Sequence, residues 1–369
     1  MGKKIKIAIY GRTFHDPHLR GFSRYTANLL DSLFEFLDDF EIYIVSDLPI
    51  HPFFNNRYSS KFKIIENHKW PSILWHNFYL PLWLYYNKID IFHSTINTGL
   101  PLLKFGKVQY VATIHDLISY YNFKSKPQRS LMGQLHRLYW DRSFLCDHIL
   151  TVSNYSKSKI KEVVSPFSKI TVIQNSISTF FLKSRDFVDR ENRTFFLYVG
   201  GFDQRKNIPT LLKAYAEYCL LSVNPLPLKL VGKLSEYEKN EYEEYFTLNK
   251  IEFLGYVPDD LLPDLYDHAL AVVIPSLEEG FGLQVIESLP SGTPLLSSNC
   301  SSLPEVVGDA GIFFNPLDVR ELSLQMLSIQ EDQALWQKLS KLARNREKNF
   351  LPSTTGKQYH QYYLNLCKD

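Results

Sequence analysis

The sequence predicts an α/β protein built as two Rossmann-like domains, and three observations carry that expectation. At 369 residues the chain has the length of two ordinary domains, each able to bury its own core. A strand, a glycine turn and a helix follow one another twice. The first set is Ile5 to Tyr10, Gly11 and a helix from about Ser23 to Phe36; the second is Phe195 to Val199, Gly200-Gly201 and a helix from Ile208 to Leu221. The run Ala271-Val272-Val273-Ile274 is short and unbroken, as a strand buried on both faces of a parallel sheet requires.

Composition narrows the class. Apolar content of 45% with 22% charged residues is that of a globular protein, and no run of 18 apolar residues offers a membrane span. A strand that begins at Ile5 leaves no room for a signal peptide, and Lys6 breaks the myristoylation pattern. Cys146, Cys219, Cys300 and Cys367 are scattered without a C-x-x-C, which fits reduced thiols in the cytoplasm. The net charge of +2 hides an asymmetry: through Arg185 there are 24 Lys+Arg against 13 Asp+Glu, and beyond it 17 against 26. A basic N-terminal half fits an anionic membrane surface or an anionic acceptor; the alternative is that its lysines keep an aromatic-rich domain in solution. No nucleic-acid module is present.

Along the first half, Glu41 to Val45, Phe62 to Ile65, Ile89 to Phe92, Val108 to Thr113, His148 to Val152 and Lys169 to Ile177 read as further strands. The aromatic-dense stretch from Trp70 to Tyr86 has near-helical spacing and is expected to be core. His115 stands at the C-terminal end of a strand, where α/β sheets place ligands. Ser153 is placed to cap a helix over Lys157 to Val164. The polar stretch Ser184 to Arg193 is expected to link the domains, giving boundaries of 1–183 and 194–351, with 352–369 returning to the first.

In the second half, Arg205 and Lys206 stand at the entry of a helix, where uncompensated cations are unfavourable and a diphosphate would justify them. Leu228 to Val231, a charged helix over Glu236 to Glu244, Ile251 to Val257 and a helix over Asp259 to His268 follow. The strand before Pro275 then meets a glycine loop, Gly280-Phe281-Gly282, and a helix started by Leu283. Amide N–H groups at such a turn bind anions. Glu279 and Glu287 bracket the loop with seven residues between them. A carboxylate beside a phosphate makes sense when it grips the neighbouring sugar hydroxyls, so the implied ligand is a nucleotide-sugar. The alternative is a helix cap and a solvated glutamate.

The stretch PSLEEGFGLQVIESLPSGTPLLSSNCSSLPEVV from Pro275 to Val307 resembles the signature of retaining glycosyltransferase family 4. T-I-H-D-L at Thr113 to Leu117, T-V-S-x-x-S at Thr151 to Ser156 and R-K-N at Arg205 to Asn207 agree with it. The resemblance implies the GT-B fold, two Rossmann-like domains facing a cleft with the C-terminal helix crossing back to the first. It further implies that Glu279 and the Gly280 to Leu283 amides hold the donor sugar and Glu287 the ribose. Arg205 and Lys206 would neutralise the diphosphate, with Gly201 at the turn before them. Tyr256 and Val257 would receive the base, and His115 would stand against the donor sugar. Gly21 belongs to a loop facing the diphosphate, although Ser23 stands where the family usually has a second glycine.

The activity so implied is transfer of a hexose with retained configuration, most similar to mannosyltransferases of polysaccharide and lipopolysaccharide assembly. GDP-mannose is the expected donor and a saccharide or lipid-linked molecule the acceptor. A UDP-sugar donor and a silent binding protein are the alternatives. No cofactor is expected, and the absence of any D-x-D triplet points to catalysis without a metal. A nicotinamide-binding dehydrogenase would need G-x-G-x-x-G after a strand, and neither Gly11 nor Gly200-Gly201 has that spacing.

Overall fold

Apolar runs become parallel strands in two separate sheets. The computed structural model describes residues 4–18, 21–67, 69–124, 131–165, 168–183, 186–242, 245 and 250–368. The chain divides into one unit of residues 1–176 with 352–369 and a second of residues 177–351. The first contains β1 (Ile5–Tyr10), β2 (Phe40–Ser46), β3 (Lys63–Glu66), β4 (Ile91–Ser94), β5 (Gln109–Thr113), β6 (His148–Thr151) and β7 (Ile170–Val172). Their order is β3-β2-β1-β4-β5-β6-β7, and adjacent strands are paired in parallel. The second contains β8 (Phe195–Val199), β9 (Leu228–Val231), β10 (Ile251–Gly255), β11 (Ala269–Ile274), β12 (Leu295–Ser298) and β13 (Gly311–Phe314), in the order β10-β9-β8-β11-β12-β13. Each order reverses once, between β1 and β4 and between β8 and β11. Such a reversal opens a crevice beyond the carboxyl ends of the two strands.

The division falls at Ser176, seven residues before the expected Lys183. Contacts explain the difference. Ile177 N–H donates to the Phe350 carbonyl at 2.8 Å, and the Phe181 ring packs edge-on to Tyr266 at 5.9 Å. Arg193, expected to lie in a linker, is buried in the second unit. Ser184 and Arg185, within that linker, lie outside the described residues, as do Leu19 and Arg20 of the first loop and Glu243 and Glu244 of the charged helix.

The tail returns to the first unit as expected. In the helix Pro352–Leu366, Tyr359 and Tyr363 sit one turn apart on the buried face. Tyr359 shares a 2.7 Å hydrogen bond with Tyr25, and the Tyr363 hydroxyl lies 2.7 Å from His93 Nδ1. Ser153 caps the helix Asn154–Lys161, its hydroxyl accepting from Ser156 N–H.

The aromatic stretch departs from its expected place in the core. Helix Ser72–Leu74, a π turn over Trp75–Tyr79 and helix Leu80–Tyr86 run on as one rod. Pro81 has no N–H to give to Asn77, and the ladder widens by one residue in the turn before it. Trp75, Leu80 and Leu84 enter the core, whereas Phe78, Tyr79, Leu82, Tyr85 and Tyr86 face outward.

Candidate functional site

The loops after β8 and β11 leave the sheet on the two sides of its reversal, and hydrogen bonds tie them together. Leu277 N–H donates to the Arg205 carbonyl at 2.7 Å, and Asn207 Nδ2 donates to the Pro275 carbonyl at 3.0 Å. Asn207 has φ +56°, a left-handed conformation that asparagine tolerates, and it turns the Gln204–Lys206 3-10 segment into the helix Ile208–Leu221. That junction fixes where Lys206 points.

Lys206 Nζ lies 2.6 Å from Glu279 Oε1. Ser276 Oγ donates to the same oxygen at 2.8 Å and Gln284 Nε2 at 3.3 Å. Among the described residues no donor is directed to Oε2. The backbone is held as well, with Glu279 N–H donating to Ser301 Oγ at 3.0 Å and Ser302 Oγ donating to the Glu279 carbonyl at 2.9 Å. Burial pushes the Glu279 carboxyl up, but the Lys206 ammonium, its hydrogen bond, the Ser276 hydroxyl and the more distant Arg205 outweigh it and hold the group below the ordinary carboxylate range. Glu279 is therefore a buried, ionised acceptor.

Gly282 takes φ +96°, and a Cβ there would stand 2.9 Å from Leu303 Cδ2, so glycine is needed on both counts. Gly280 is buried, Phe281 packs on Phe350 with ring centroids 6.1 Å apart, and Leu283 is half-buried. The helix that follows, Leu283–Ser288, has six residues before a 3-10 turn, so its dipole is small and Lys206 and Arg205 supply most of the positive charge. Glu287 is buried, with Tyr266 Oη donating to its Oε2 at 3.1 Å.

The remaining predicted residues spread along the carboxyl edge of the sheet. Arg205 Nε pairs with Asp203 Oδ1 at 2.8 Å, so its charge is shared already. Gly201 is exposed, and its carbonyl accepts from Tyr198 Oη. Tyr256 is exposed and Val257 half-buried just past β10, with β9 standing between that strand and β8.

In the first unit, His115 follows β5. Its Nε2 lies 2.9 Å from the Thr95 carbonyl, its N–H donates to Asn97 Oδ1 at 2.9 Å, and its ring meets Tyr25 edge-on. Burial lowers its pKa to about 4, so the imidazole is neutral at physiological pH. Gly21 opens the helix Gly21–Ser32, and a Cβ there would meet nothing within 4 Å. Ser23 is buried and donates to the His18 carbonyl at 3.2 Å.

A cavity of about 230 Å³ lies at the reversal of the first sheet, lined by Tyr10, Arg12, Ser72, His76, Thr98 and Tyr139 among others. Asp47, fully buried, gathers Tyr10 Oη at 2.7 Å, the Arg12 guanidinium and the Ser72 hydroxyl. Sequence reasoning missed this group. Its members come from three separated segments with no common motif, and the strand order alone brings them together. Among the described residues no three His, Cys, Asp or Glu side chains converge as a metal-holding group.

Comparisons with known proteins agree with both sheets. Residues 19–180 match the family described as Glycosyltransferase Family 4, and residues 181–346 that described as Glycosyl transferases group 1. The chain is 36% identical over 207 residues to O-antigen chain mannosyltransferase B of Escherichia coli, covering 50% of this chain and 52% of that protein. It is 29% identical over 242 residues to O-antigen chain mannosyltransferase RfbU of Salmonella typhimurium, covering 64% of each. The matched part thus spans about half to two thirds of these relatives. Among solved structures, sucrose-phosphate synthase of Thermosynechococcus elongatus superposes with a TM-score of 0.77 at 19% identity, over 99% of this chain and all of that one. HepE of Anabaena, solved with UDP and glucose, gives 0.71 at 16% identity, over 98% and 100%. The two family matches join end to end from residue 19 to 346, each on its own parallel sheet, and the chain belongs to the family 4 glycosyltransferases of GT-B fold.

Proposed function

We propose that this chain is a retaining hexosyltransferase that needs no metal and moves mannose from GDP-mannose to a saccharide or lipid-linked acceptor of cell-surface polysaccharide. The observation that carries the reading is the buried Lys206–Glu279 pair beside the Gly280–Leu283 turn. Glu279 Oε2 is the oxygen left to accept donor-sugar hydroxyls, since the three side-chain donors converge on Oε1. Lys206, with Arg205, stabilises charge that develops on the departing diphosphate, the task a metal performs elsewhere. Glu287 takes the ribose hydroxyls, and Tyr256 with Val257 the base. The two mannosyltransferase relatives favour mannose.

In the transfer step an acceptor hydroxyl oxygen forms the new bond to the anomeric carbon while the bond from that carbon to the β-phosphate oxygen breaks. The hydroxyl proton passes to the departing phosphate oxygen on the same face, which retains the configuration. Neutral His115 is assigned to the sugar, as a hydrogen-bonding partner rather than a base, because burial holds its pKa to about 4. The Arg12–Asp47 cavity, rich in hydroxyls and a paired charge, suits a saccharide hydroxyl cluster of the acceptor.

The test is a thermal-shift panel of the purified chain with GDP-mannose, UDP-glucose, UDP-N-acetylglucosamine and NAD, followed by NMR of the anomeric product in the presence of EDTA. Stabilisation by GDP-mannose and an α-linked product with EDTA present are the expected results. A shift with a UDP-sugar alone replaces the donor. A shift with NAD alone, or with none of the four, overturns the reading.

A further inference from the structure

The helical rod over residues 72–86 is apolar on both sides. Its inner side, with Trp75, Leu80 and Leu84, belongs to the core. Its outer side carries Ile73, Leu74, Phe78, Leu82, Tyr85 and Tyr86, at spacings of three and four residues that form one stripe. The exposure is substantial: Phe78 is 54% and Tyr86 74% accessible, and Trp70, just before the rod, 57%. A soluble helix normally turns charge outward, and this rod has none between Ser72 and Tyr86. A second segment extends the patch. A Cβ on Gly106 would stand 2.7 Å from Tyr85 Cδ2, so the 103–107 loop lies against the stripe and adds exposed Leu103 and Phe105.

The surroundings name the occupant. The patch is bordered by exposed lysines: Lys69 before it, Lys88 after it, and Lys107 in the adjoining loop. Lys104 is spent on Asp147 at 2.5 Å. The patch is rich in Trp, Tyr and Phe, which suit a boundary with one wet and one oily side, and lysine stems can lie along it while their heads reach phosphates. Among the described residues no helix is long and apolar enough to cross a membrane, so the contact is a surface one. Ser72 and Ile73, in the first turn of the rod, also line the Arg12–Asp47 cavity. A polar cavity thus opens at the rim of an apolar face, in the place where an amphiphile would put its head.

We propose that the outer face of residues 70–86, with Leu103 and Phe105, docks on an anionic lipid bilayer, its aromatic side chains entering the headgroup boundary and Lys69, Lys88 and Lys107 meeting lipid phosphates. Docking holds a membrane-borne molecule beside the cavity. This goes beyond the donor chemistry, and vesicle binding requires neither donor nor acceptor, so either reading can fail without the other.

The experiment is co-sedimentation of the full chain with vesicles of phosphatidylcholine alone and of phosphatidylcholine mixed with phosphatidylglycerol. The wild type sediments with the mixed vesicles, and salt weakens it. A Phe78→Ser/Tyr85→Ser/Tyr86→Ser variant, altered at exposed positions, unfolds at the wild-type temperature and binds roughly tenfold or more weakly. Lys88→Glu/Lys107→Glu loses affinity for the mixed vesicles and not for phosphatidylcholine. If the triple variant fails to fold, quenching by brominated lipid gives the readout: it is strong in the wild type and falls in Trp70→Phe. Three results overturn the proposal: no sedimentation with either vesicle, equal binding or quenching by the variants, or a wild-type dimer that the triple substitution makes monomeric, which would show a second copy on this face.

Discussion

Lys206 Nζ and Glu279 Oε1, 73 residues apart in sequence, stand 2.6 Å from one another with both side chains largely buried. Removing either partner strands the other charge. We expect Lys206→Met and Glu279→Gln each to cost about 3 kcal/mol of unfolding free energy, and the double substitution to cost less than their sum. Transfer should fall about 100-fold or more in each single variant and stay low in the double one, since the pair stabilises charge as the donor bond breaks. Urea unfolding together with product formation separates these effects. A double variant as unstable as the sum of the singles would show that the pair is not coupled, and full turnover in Glu279→Gln would remove its assigned role.

How the pair forms was half legible in the sequence. Glu279, Gly282 and Lys206 each stood out by type and position, because a glycine turn after a strand and cations at a helix entry have few other uses. That the lysine and the glutamate meet was not legible, since it depends on β8 and β11 being neighbours at the sheet's reversal, and no local pattern encodes strand order. The Arg12–Asp47 cavity was hidden for the same reason. The stretch from Trp70 to Tyr86 misled in another way: helical spacing says that a side faces the core but is silent when both sides are apolar.

Arg193 was legible only as a polar residue before a strand, yet it anchors the second unit. Its guanidinium donates to Thr293 Oγ1 at 2.7 Å and to the carbonyls of Ser291 at 2.6 Å, Val188 at 3.0 Å and Ala269 at 3.1 Å. The rings of Trp336 and Phe187 lie about it at 5.1 and 5.3 Å. Burial lowers its pKa to about 10, which leaves it charged at neutral pH. Arg193→Met would leave those carbonyls unsatisfied, and we expect a loss of about 3 kcal/mol or more by urea unfolding. Lysine should recover little, because a point charge cannot serve four acceptors set for a planar fork. A lysine variant as stable as the wild type would reduce the site to simple charge compensation.

Gly356 sets the approach of the C-terminal helix to Gly21–Ser32. A Cβ there would lie 2.2 Å from the Ser32 carbonyl oxygen, a backbone atom that cannot step aside alone. Gly356→Val must therefore push the helices apart and loosen the Tyr25–Tyr359 and His93–Tyr363 contacts behind it. We expect a loss of about 2–3 kcal/mol, despite valine's better helix propensity. Differential scanning calorimetry checks this, and an unchanged melting temperature would mean the helix can shift at no cost.

Three histidines of the first unit are buried and held neutral. Burial lowers His93 to about 3, and His76 and His115 to about 4. In the unfolded chain each titrates near its ordinary value of about 6.5. Below that pH the unfolded chain binds protons that the folded chain refuses, so stability is fully retained well above pH 6.5 and falls as pH drops from about 6.5 toward the folded values. At pH 5 the loss is about 2 kcal/mol for each histidine. The first unit should thus weaken on mild acidification. Trp336 is the only tryptophan of the second unit, so in Trp336→Phe the fluorescence reports the first unit alone. Its urea midpoint should fall steadily between pH 7.5 and 5. His93→Gln should start lower, having lost its bonds to Thr113 and Tyr363, and fall less steeply. A midpoint independent of pH over that range would mean that the folded histidines accept protons as freely as the unfolded ones, and that they are not held neutral.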